Sequence, residues 1–320
     1  MKKLIIISGA TATGKTSFSL KIANLIKKEK LSQVKIINFD SLLFYKELNI
    51  GTAKPTLKEQ DGHEHLLIDI TTAKNPMNAH QYIQLAEKEI NKCHSANIIP
   101  ILVGGSAFYL RALIKGMYES TSISQELRER LDQEYKENGI KPFIEFLNKN
   151  DPASIETLHE NDHYRIIRAV EHFEQTGKPL SEEKKRMDDL DPYDLSKGKN
   201  EWDLHHIYLE LPREEHWSYI THRTNQMISK GLVQEVEGLL KNGFTGEEKP
   251  LQSIGYLETL SFLKGEFEDE AAFSERISIS TRQLAKSQRT FFKKITPKSS
   301  YHPLKDEEKL LRECKDFILA

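Results

Sequence analysis

The sequence predicts an α/β fold in which helices flank a parallel sheet and an all-helical domain is inserted. Three observations predict it. A short apolar run leads into a glycine-rich loop, further apolar runs recur at strand length, and a charged helical segment follows without strand character. With 320 residues, 38% of them hydrophobic, the chain suits one large domain that carries a smaller one.

The first strand is predicted at residues 3–8, where a short β-branched run ends at glycine, as in parallel strands buried on both faces. A helix is predicted over residues 16–30, because apolar residues recur there at helical spacing. Residues 34–39 and 98–103 are two further buried-strand candidates. The order of strand, glycine loop and helix is that of a phosphate-binding βα unit.

The helical domain is predicted over residues 119–191, which interrupts a core made of residues 1–118 and 192–320. Residues 202–211 alternate and return the chain to the sheet. One long helix is predicted over residues 213–242, ending at a glycine. Within the insertion, helices are predicted over residues 124–138, 141–150 and 163–176.

Composition limits the classes of function. Lys and Arg number 46 against 48 Asp and Glu, which gives a formal net charge of −2. This balance excludes a protein that coats nucleic acid with a uniformly basic surface, but it allows one basic face. Cys93 and Cys314 are the only cysteines, so neither a disulfide framework nor a thiolate zinc site is predicted. No apolar run reaches membrane-spanning length, and no targeting segment is predicted. We expect a soluble, cytoplasmic monomer that does not contact membranes.

A phosphate-binding loop follows the first predicted strand and matches the pattern G-x-x-x-x-G-K-[ST]. In such loops backbone N–H groups cradle phosphate oxygens, the lysine supplies a mobile positive charge, and the final hydroxyl ligates Mg²⁺. The sequence therefore predicts a P-loop NTPase-like core that holds a phosphate or diphosphate group. The loop residues are Gly9, Ala10, Thr11, Ala12, Thr13, Gly14, Lys15 and Thr16.

Asp40 comes directly after the second predicted strand. Ligands of open α/β sheets bind outside the carboxyl ends of the strands, so this carboxylate should face the bound phosphate. It would bind Mg²⁺ through water or act as a general base, and the alternative is a residue that only caps the following turn.

Gly104, Gly105 and Ser106 follow the strand predicted at residues 98–103. Nucleotide hydrolases often hold magnesium with an aspartate at this point, so the apparatus for hydrolysis is incomplete. Two glycines allow close approach of a ligand, and Ser106 could donate a hydrogen bond to a substrate. A simple strand-to-helix turn is the alternative.

Two basic groups lie outside the predicted sheet. Arg165 and Arg168 share a helix face, and a second group falls on one stripe of a later helix. Contact with a phosphate backbone would explain such a stripe, although a solvated helix face is the alternative. Tyr164, Tyr256 and Phe108 could stack on unpaired bases or belong to the core. The stripe consists of Arg282, Lys286, Arg289 and Lys293.

Together the motifs resemble those of the tRNA dimethylallyltransferases, which prenylate the N6 amine of the adenosine beside the anticodon. The resemblance covers nearly the whole chain and is far more specific than the loop alone. Its motifs are residues 9–16, Asp40-Ser41, residues 50–55, 65–69 and 104–109, Asn161-Asp162 with Arg165 and Arg168, Gly255-Tyr256, and residues 281–286 with Gln288.

The resemblance implies that dimethylallyl diphosphate replaces a nucleotide, with residues 11–16 holding the diphosphate through Mg²⁺. Asp40 would take a proton from the adenine amine as it attacks the allylic carbon, and Ser106 would contact that amine. Lys15 and magnesium would stabilise the departing diphosphate, which Arg223 also engages. This reaction needs no attacking water and no hydrolytic aspartate, which accounts for the glycine pair.

The resemblance also implies contacts with the anticodon stem-loop of tRNA, for which the target base is flipped out. The helical insertion corresponds to a domain that grips the stem. The chain departs from the family at Ala10, Leu43, Ser106 and Ser287, where Pro, Gln, Thr and a basic residue are common. The implied contacts are Asp40, Ser41, Leu42, Leu43, Ser106, Arg128, Tyr164, Arg165, Ile166, Ile167, Arg168, Gln252, Ser253, Ile254, Gly255, Tyr256, Arg282 and Lys286.

Two other classes of function compete with this interpretation. A P-loop kinase of small molecules would explain the loop and Asp40, but not the helical insertion or the basic stripe. A non-catalytic RNA-binding module would need neither Lys15 nor Asp40.

Overall fold

The computed structural model describes residues 2–117, 124–188 and 191–320. Its centre is a six-stranded, wholly parallel sheet with the strand order β3-β2-β4-β1-β5-β6. The strands are β1 (Lys2–Gly9), β2 (Gln33–Asn38), β3 (His65–Leu66), β4 (Ile98–Gly104), β5 (Trp202–Leu209) and β6 (Ser299–Tyr301).

Thirteen α-helices are present in the described part of the chain. They are α1 (Lys15–Lys28), α2 (Ala79–Ser95), α3 (Ala107–Lys115), α4 (Gln125–Asn138), α5 (Lys141–Asn150), α6 (Pro152–Thr157), α7 (His163–Thr176), α8 (Leu180–Asp188), α9 (Arg213–Ser229), α10 (Leu232–Lys241), α11 (Tyr256–Leu263), α12 (Glu270–Lys294) and α13 (Glu307–Leu319). Among the described residues, no helix has the length and apolar character needed to span a membrane.

The central strands are buried because apolar residues face both sides of the sheet, as the sequence predicts. In β1 the residues from Leu4 to Ile7 are fully buried, and Ile5 lies between Ile101 of β4 and His205 of β5. Helices α1 and α13 pack over a core cluster that includes Phe18, Ile22 and Leu310. The sheet therefore forms a rigid platform whose strands all end on the same edge.

The chain divides into two compact units. The first contains the sheet and runs up to Ile114 and again over Tyr193–Ala320, and the second covers Lys115–Pro192. The second unit has its own apolar core, formed by Leu131, Phe143, Ile166 and their neighbours, and consists of helices in its described residues. The insertion predicted over residues 119–191 lies inside this unit, although its predicted first residue lies outside the described residues.

The single helix predicted over residues 213–242 is wrong. Helix α9 ends at Ser229 and α10 begins at Leu232, because Gly231 has a φ of 101° that a helix cannot accommodate. An apolar cluster joins α10, α11 and α12 beyond this break and includes Leu232, Tyr256 and Phe273.

The substitution Gly104→Ala should destabilise the first unit, because a Cβ there would lie 2.7 Å from the carbonyl carbon and the ring of Phe39. Overpacking of this kind costs about 1–3 kcal/mol. Urea denaturation measures the change. Gly238→Ala in α10 is the control, since no atom lies within 4 Å of a Cβ at that position. Equal midpoints for Gly104→Ala and the wild type would contradict this packing.

Candidate active site

A cleft of about 610 Å³ opens at the carboxyl ends of the strands in the first unit. The loop between β1 and α1, the turn after β2 and one face of α9 form its walls, and Pro303 and Leu304 close one side. Its size is that of a small-molecule site. Apolar lining residues include Ile36, Leu43, Ala53, Pro55, Ile68 and Val103.

The phosphate loop has the conformation that its glycines predict. Gly14 has a φ of 81° and precedes α1, so the free N–H groups of the first turn of that helix are directed toward the cleft. Ala12 has a φ of 59°, which is unfavourable for alanine. The hydroxyl of Thr13 and the ammonium of Lys15 donate to the carbonyl oxygen of Ala10 at 2.8 and 2.7 Å. Thr16 lies exposed in the first turn of α1 and lines the cleft.

Both peptide groups of Thr11 are held from outside the loop. Its N–H donates to Oε1 of Gln288 at 2.8 Å, and Nε2 of Gln288 donates to the carbonyl oxygen of Gly105 at 3.1 Å. The carbonyl oxygen of Thr11 accepts from Nε2 of His216 at 2.7 Å, and Nδ1 of His216 accepts from Arg289 at 3.1 Å. Burial and the charges of Arg289 and Lys15 lower the pKa of His216, in spite of the hydrogen bond to Thr11.

Asp40 lies in a turn that Asn38 organises. The side chain of Asn38 accepts from the Asp40 N–H at 2.8 Å and donates to the Asp40 and Leu67 carbonyl oxygens, each at 3.0 Å. Oδ1 of Asp40 accepts from the N–H of Leu42 at 3.2 Å. The half-buried carboxylate is thus fixed at the edge of the sheet where it lines the cleft.

The charges of Lys15, Asp40 and Arg223 act on one another. Desolvation lowers the pKa of Lys15 to about 8, the Asp40 charge opposes this shift, and Arg223 adds to it. Burial likewise lowers the pKa of Arg223, against the effect of Asp40. The guanidinium of Arg223 donates to the carbonyl oxygen of Thr52 at 3.1 Å. Two cations and one carboxylate therefore share the cleft, as expected for a site that receives an anion.

Ser106 follows the glycine pair and contacts the turn that carries Asp40. Its hydroxyl oxygen accepts from the N–H of Ser41 at 3.3 Å. A Cβ at Gly105 would lie 2.8 Å from Nε2 of Gln288 and 3.6 Å from Nζ of Lys15. The ends of β2 and β4 thus meet around the loop with glycine, rather than a carboxylate, beside the lysine.

Glu235 of α10 holds the loop of residues 50–55. Its carboxylate accepts from the N–H groups of Asn49, Ile50 and Gly51 at 2.8–3.2 Å and from the hydroxyl of Tyr256 at 2.6 Å. Tyr256 is completely buried, so its side chain belongs to the core and is not exposed for base stacking. Since the same loop presents the Thr52 carbonyl to Arg223, Glu235 indirectly supports the arginine.

We expect Glu235→Gln to raise the KM for the phosphate-bearing donor by about tenfold, because an amide cannot accept all four hydrogen bonds and the support for Arg223 weakens. Steady-state kinetics would measure it. Glu237→Gln, on the same helix, controls for the loss of a charge. Donor KM values that are equal in the two variants would mean that Glu235 does not support the site.

The residues implied in tRNA contact divide by exposure. In the second unit, Arg128, Tyr164 and Arg165 have exposed side chains, whereas Ile166 is buried in the core. Arg168 is half-buried and forms an ion pair with Glu171. Residues 252–255 lie at the turn before α11, where the side chains of Gln252 and Ser253 donate to backbone carbonyl oxygens and Ile254 packs on the core.

The stripe predicted on α12 is not uniformly exposed. Lys286 and Lys293 are exposed, whereas Arg282 packs over the Trp217 ring and donates to Thr221 Oγ1 at 3.0 Å. Arg289 is directed at His216. Two of the four basic residues therefore make contacts within the protein.

Sequence reasoning missed the parts played by His216 and Glu235 and took Gln288 only as part of a motif. One signal was present. His216 precedes Arg223 by seven residues, two helical turns, and both lie on the face of α9 next to the loop.

A parallel sheet, a phosphate loop after β1, a carboxylate after β2 and a glycine pair after β4 define a P-loop NTPase-like α/β protein. Comparison with models of known protein families narrows this class to one family. The model of the IPP transferase family matches residues 43–295, and the chain belongs to this family. The resemblance drawn from the motifs is confirmed.

Relatives and solved structures agree with this assignment. The chain is 35% identical over 99% of its length to a tRNA dimethylallyltransferase of Acetivibrio thermocellus, of which it covers 98%. It is 36% identical over 91% of its length to that of Syntrophobacter fumaroxidans, of which it covers 80%.

Two crystal structures are similar over the whole chain. A tRNA isopentenylpyrophosphate transferase of Bacillus halodurans is 27% identical, with a TM-score of 0.69 and 97% of that chain covered. A eukaryotic dimethylallyltransferase acting on tRNA is 25% identical, with a TM-score of 0.78 and 80% of that chain covered.

Proposed function

We propose that this protein transfers the dimethylallyl group of dimethylallyl diphosphate to N6 of the adenosine beside the anticodon of tRNA, releasing diphosphate. One observation carries the proposal. A phosphate loop, two cations and a carboxylate face one cleft that also has apolar lining, while the end of β4 lacks the carboxylate typical of hydrolysis.

The leaving diphosphate is held by the loop. N–H groups at the start of α1, the ammonium of Lys15 and the guanidinium of Arg223 oppose the negative charge that grows on it as the allylic C–O bond breaks. The apolar lining receives the prenyl group and limits access of water to the allylic carbon.

The nucleophile is activated by Asp40. The exocyclic amine of adenine is a weak nucleophile, because its lone pair is delocalised into the ring. Removal of its proton by Asp40 as the N–C bond forms prevents positive charge from building on nitrogen. The hydroxyl of Ser106, next to the Asp40 turn, orients the amine.

The residues present fit a magnesium ion. Mg²⁺ prefers oxygen ligands and commonly keeps several waters beside one or two protein groups and substrate phosphates. Thr16 Oγ1 and the carboxylate of Asp40, directly or through water, line the same cleft and supply that donor set. When bound with the diphosphate, the ion would neutralise part of its charge.

The exposed Arg128, Tyr164 and Arg165 of the second unit supply cations and a stacking surface for the anticodon stem-loop. Association should therefore weaken as salt is raised. We expect the protein to act as a cytoplasmic monomer. Light scattering on the purified chain tests the oligomeric state.

The experiment is incubation of the protein with unmodified tRNA, Mg²⁺ and labelled dimethylallyl diphosphate. Label should enter the tRNA and, after nuclease digestion, appear in N6-isopentenyladenosine. Absence of transfer across several adenosine-bearing tRNAs would refute the proposal. A parallel thermal-shift arm with ATP tests the kinase alternative, since a ligand stabilises only the state that binds it.

A further inference from the structure

We propose that His216, Arg289 and Gln288 are positioning residues that set the shape of the phosphate loop through Thr11, an inference that rests on the proposed function. We call these three residues the Thr11 clamp. They come from α9 and α12, which pack against each other beside the loop.

The clamp holds both peptide groups that flank Thr11. Gln288 accepts the Thr11 N–H at 2.8 Å, and His216 donates to the Thr11 carbonyl at 2.7 Å. The next residue, Ala12, has a left-handed φ of 59°, a conformation that alanine keeps only where surrounding contacts enforce it. The clamp provides such contacts at Thr11, the residue immediately before Ala12.

The clamp also determines which loop amides face a ligand. Because the Thr11 N–H is already bonded to Gln288, the amides available to a diphosphate begin at Ala12. Gln288 further donates to the Gly105 carbonyl at 3.1 Å, so a single carboxamide fixes the spacing between the loop and the glycine pair. A change in that spacing would displace the leaving group relative to Asp40 and Ser106.

His216 is held in one tautomer. The Thr11 carbonyl only accepts and Arg289 only donates, so the ring is neutral with its proton on Nε2. Arg289 therefore acts through His216 and does not belong to the exposed part of the α12 stripe. A tRNA-binding Arg289 and a positioning Arg289 give opposite results on substitution.

Calorimetry with inorganic diphosphate and Mg²⁺ measures diphosphate affinity without requiring turnover, and so distinguishes a positioning role of Arg289 from a tRNA-binding role. We expect His216→Leu to weaken diphosphate binding by about 10- to 100-fold, comparable to the loss of metal affinity when a residue that orients the metal ligands is removed. His216→Gln should stay within about threefold of the wild type, since its amide both donates to Thr11 and accepts from Arg289. Gln288→Met should resemble His216→Leu.

Arg289→Met should weaken diphosphate binding by about 3- to 10-fold and leave the Kd for tRNA unchanged at fixed salt. The double variant His216→Leu/Arg289→Met should bind no more weakly than His216→Leu alone, because the two residues act in series. Arg276→Met, an exposed arginine of the same helix, controls for the loss of charge. In turnover, kcat and the KM for the prenyl donor should change, but not the KM for tRNA.

Three results would overturn the inference. They are wild-type diphosphate affinity in folded His216→Leu and Gln288→Met, equal losses in His216→Gln and His216→Leu, or weaker tRNA binding with normal diphosphate binding in Arg289→Met. If His216→Leu does not fold, the diphosphate affinities of Gln288→Met and Arg289→Met test the inference. A wild-type chain that does not bind diphosphate contradicts the proposed function, whereas normal binding by every variant contradicts only the clamp.

Discussion

Replacement of Asp40 by asparagine should lower kcat for prenyl transfer by about 10²- to 10⁴-fold, the usual contribution of a general base. Asparagine keeps the shape and can still accept the Leu42 N–H, so the turn after β2 should persist. What disappears is the group that takes the proton from the adenine amine. Single-turnover measurements with saturating tRNA and donor would report the chemical step directly.

A control variant and a fixed assay pH make this result interpretable. Asp61→Asn removes an exposed carboxylate outside the cleft and should leave kcat unchanged. The assay should be run near pH 7, because the charge of Asp40 raises the pKa of Lys15 and its removal brings that pKa down further. If single-turnover rates were equal for Asp40→Asn and the wild type, Asp40 would not be the base.

Lys15→Met should lower the rate of prenyl transfer by at least about 100-fold and, at the same time, raise the free energy of unfolding. Desolvation lowers the pKa of Lys15 from 10.5 to about 8, so the folded protein binds this proton less well than the unfolded chain does. The resulting cost is fully present below pH 8 and disappears as the pH rises toward 10.5. It is about 3 kcal/mol at pH 7, and methionine avoids it.

The affinity for diphosphate provides the pH test. Below pH 8 Lys15 is charged before the ligand arrives, whereas above pH 8 binding must also take up a proton. The affinity of the wild type relative to Lys15→Met should therefore fall between pH 7 and pH 9, by at most about tenfold per pH unit. The ratio cancels the ionisation of diphosphate itself. A ratio that is constant over this range, or a melting temperature of Lys15→Met below that of the wild type, would contradict this assignment.

The sequence predicted those parts of the site that depend on local order. The loop, the strand before it and Asp40 after β2 follow from short patterns and from the rule that parallel strands end on one edge. The break at Gly231 was missed because a single glycine inside a helical pattern is often tolerated. The helical spacing of the apolar residues around Gly231 does not indicate that its φ is positive.

The supporting contacts could not be predicted in the same way. Helical spacing shows that His216 and Arg223 share a face, but not that the face meets Thr11, 205 residues earlier in the chain. For Tyr256 the motif indicated importance, whereas burial against Glu235 depends on how α10 and α11 pack.

The bond between Thr11 and Gln288 joins residues 277 positions apart, which has a consequence for biosynthesis. Because synthesis runs from the N-terminus to the C-terminus, the ribosome makes the phosphate loop 277 residues before the glutamine that supports it. Contacts this distant in sequence form late in folding, because a long loop must close before they are gained. A nascent chain therefore carries the signature of the site long before it has a working one, and competence for its substrate arises only after α12 has left the exit tunnel.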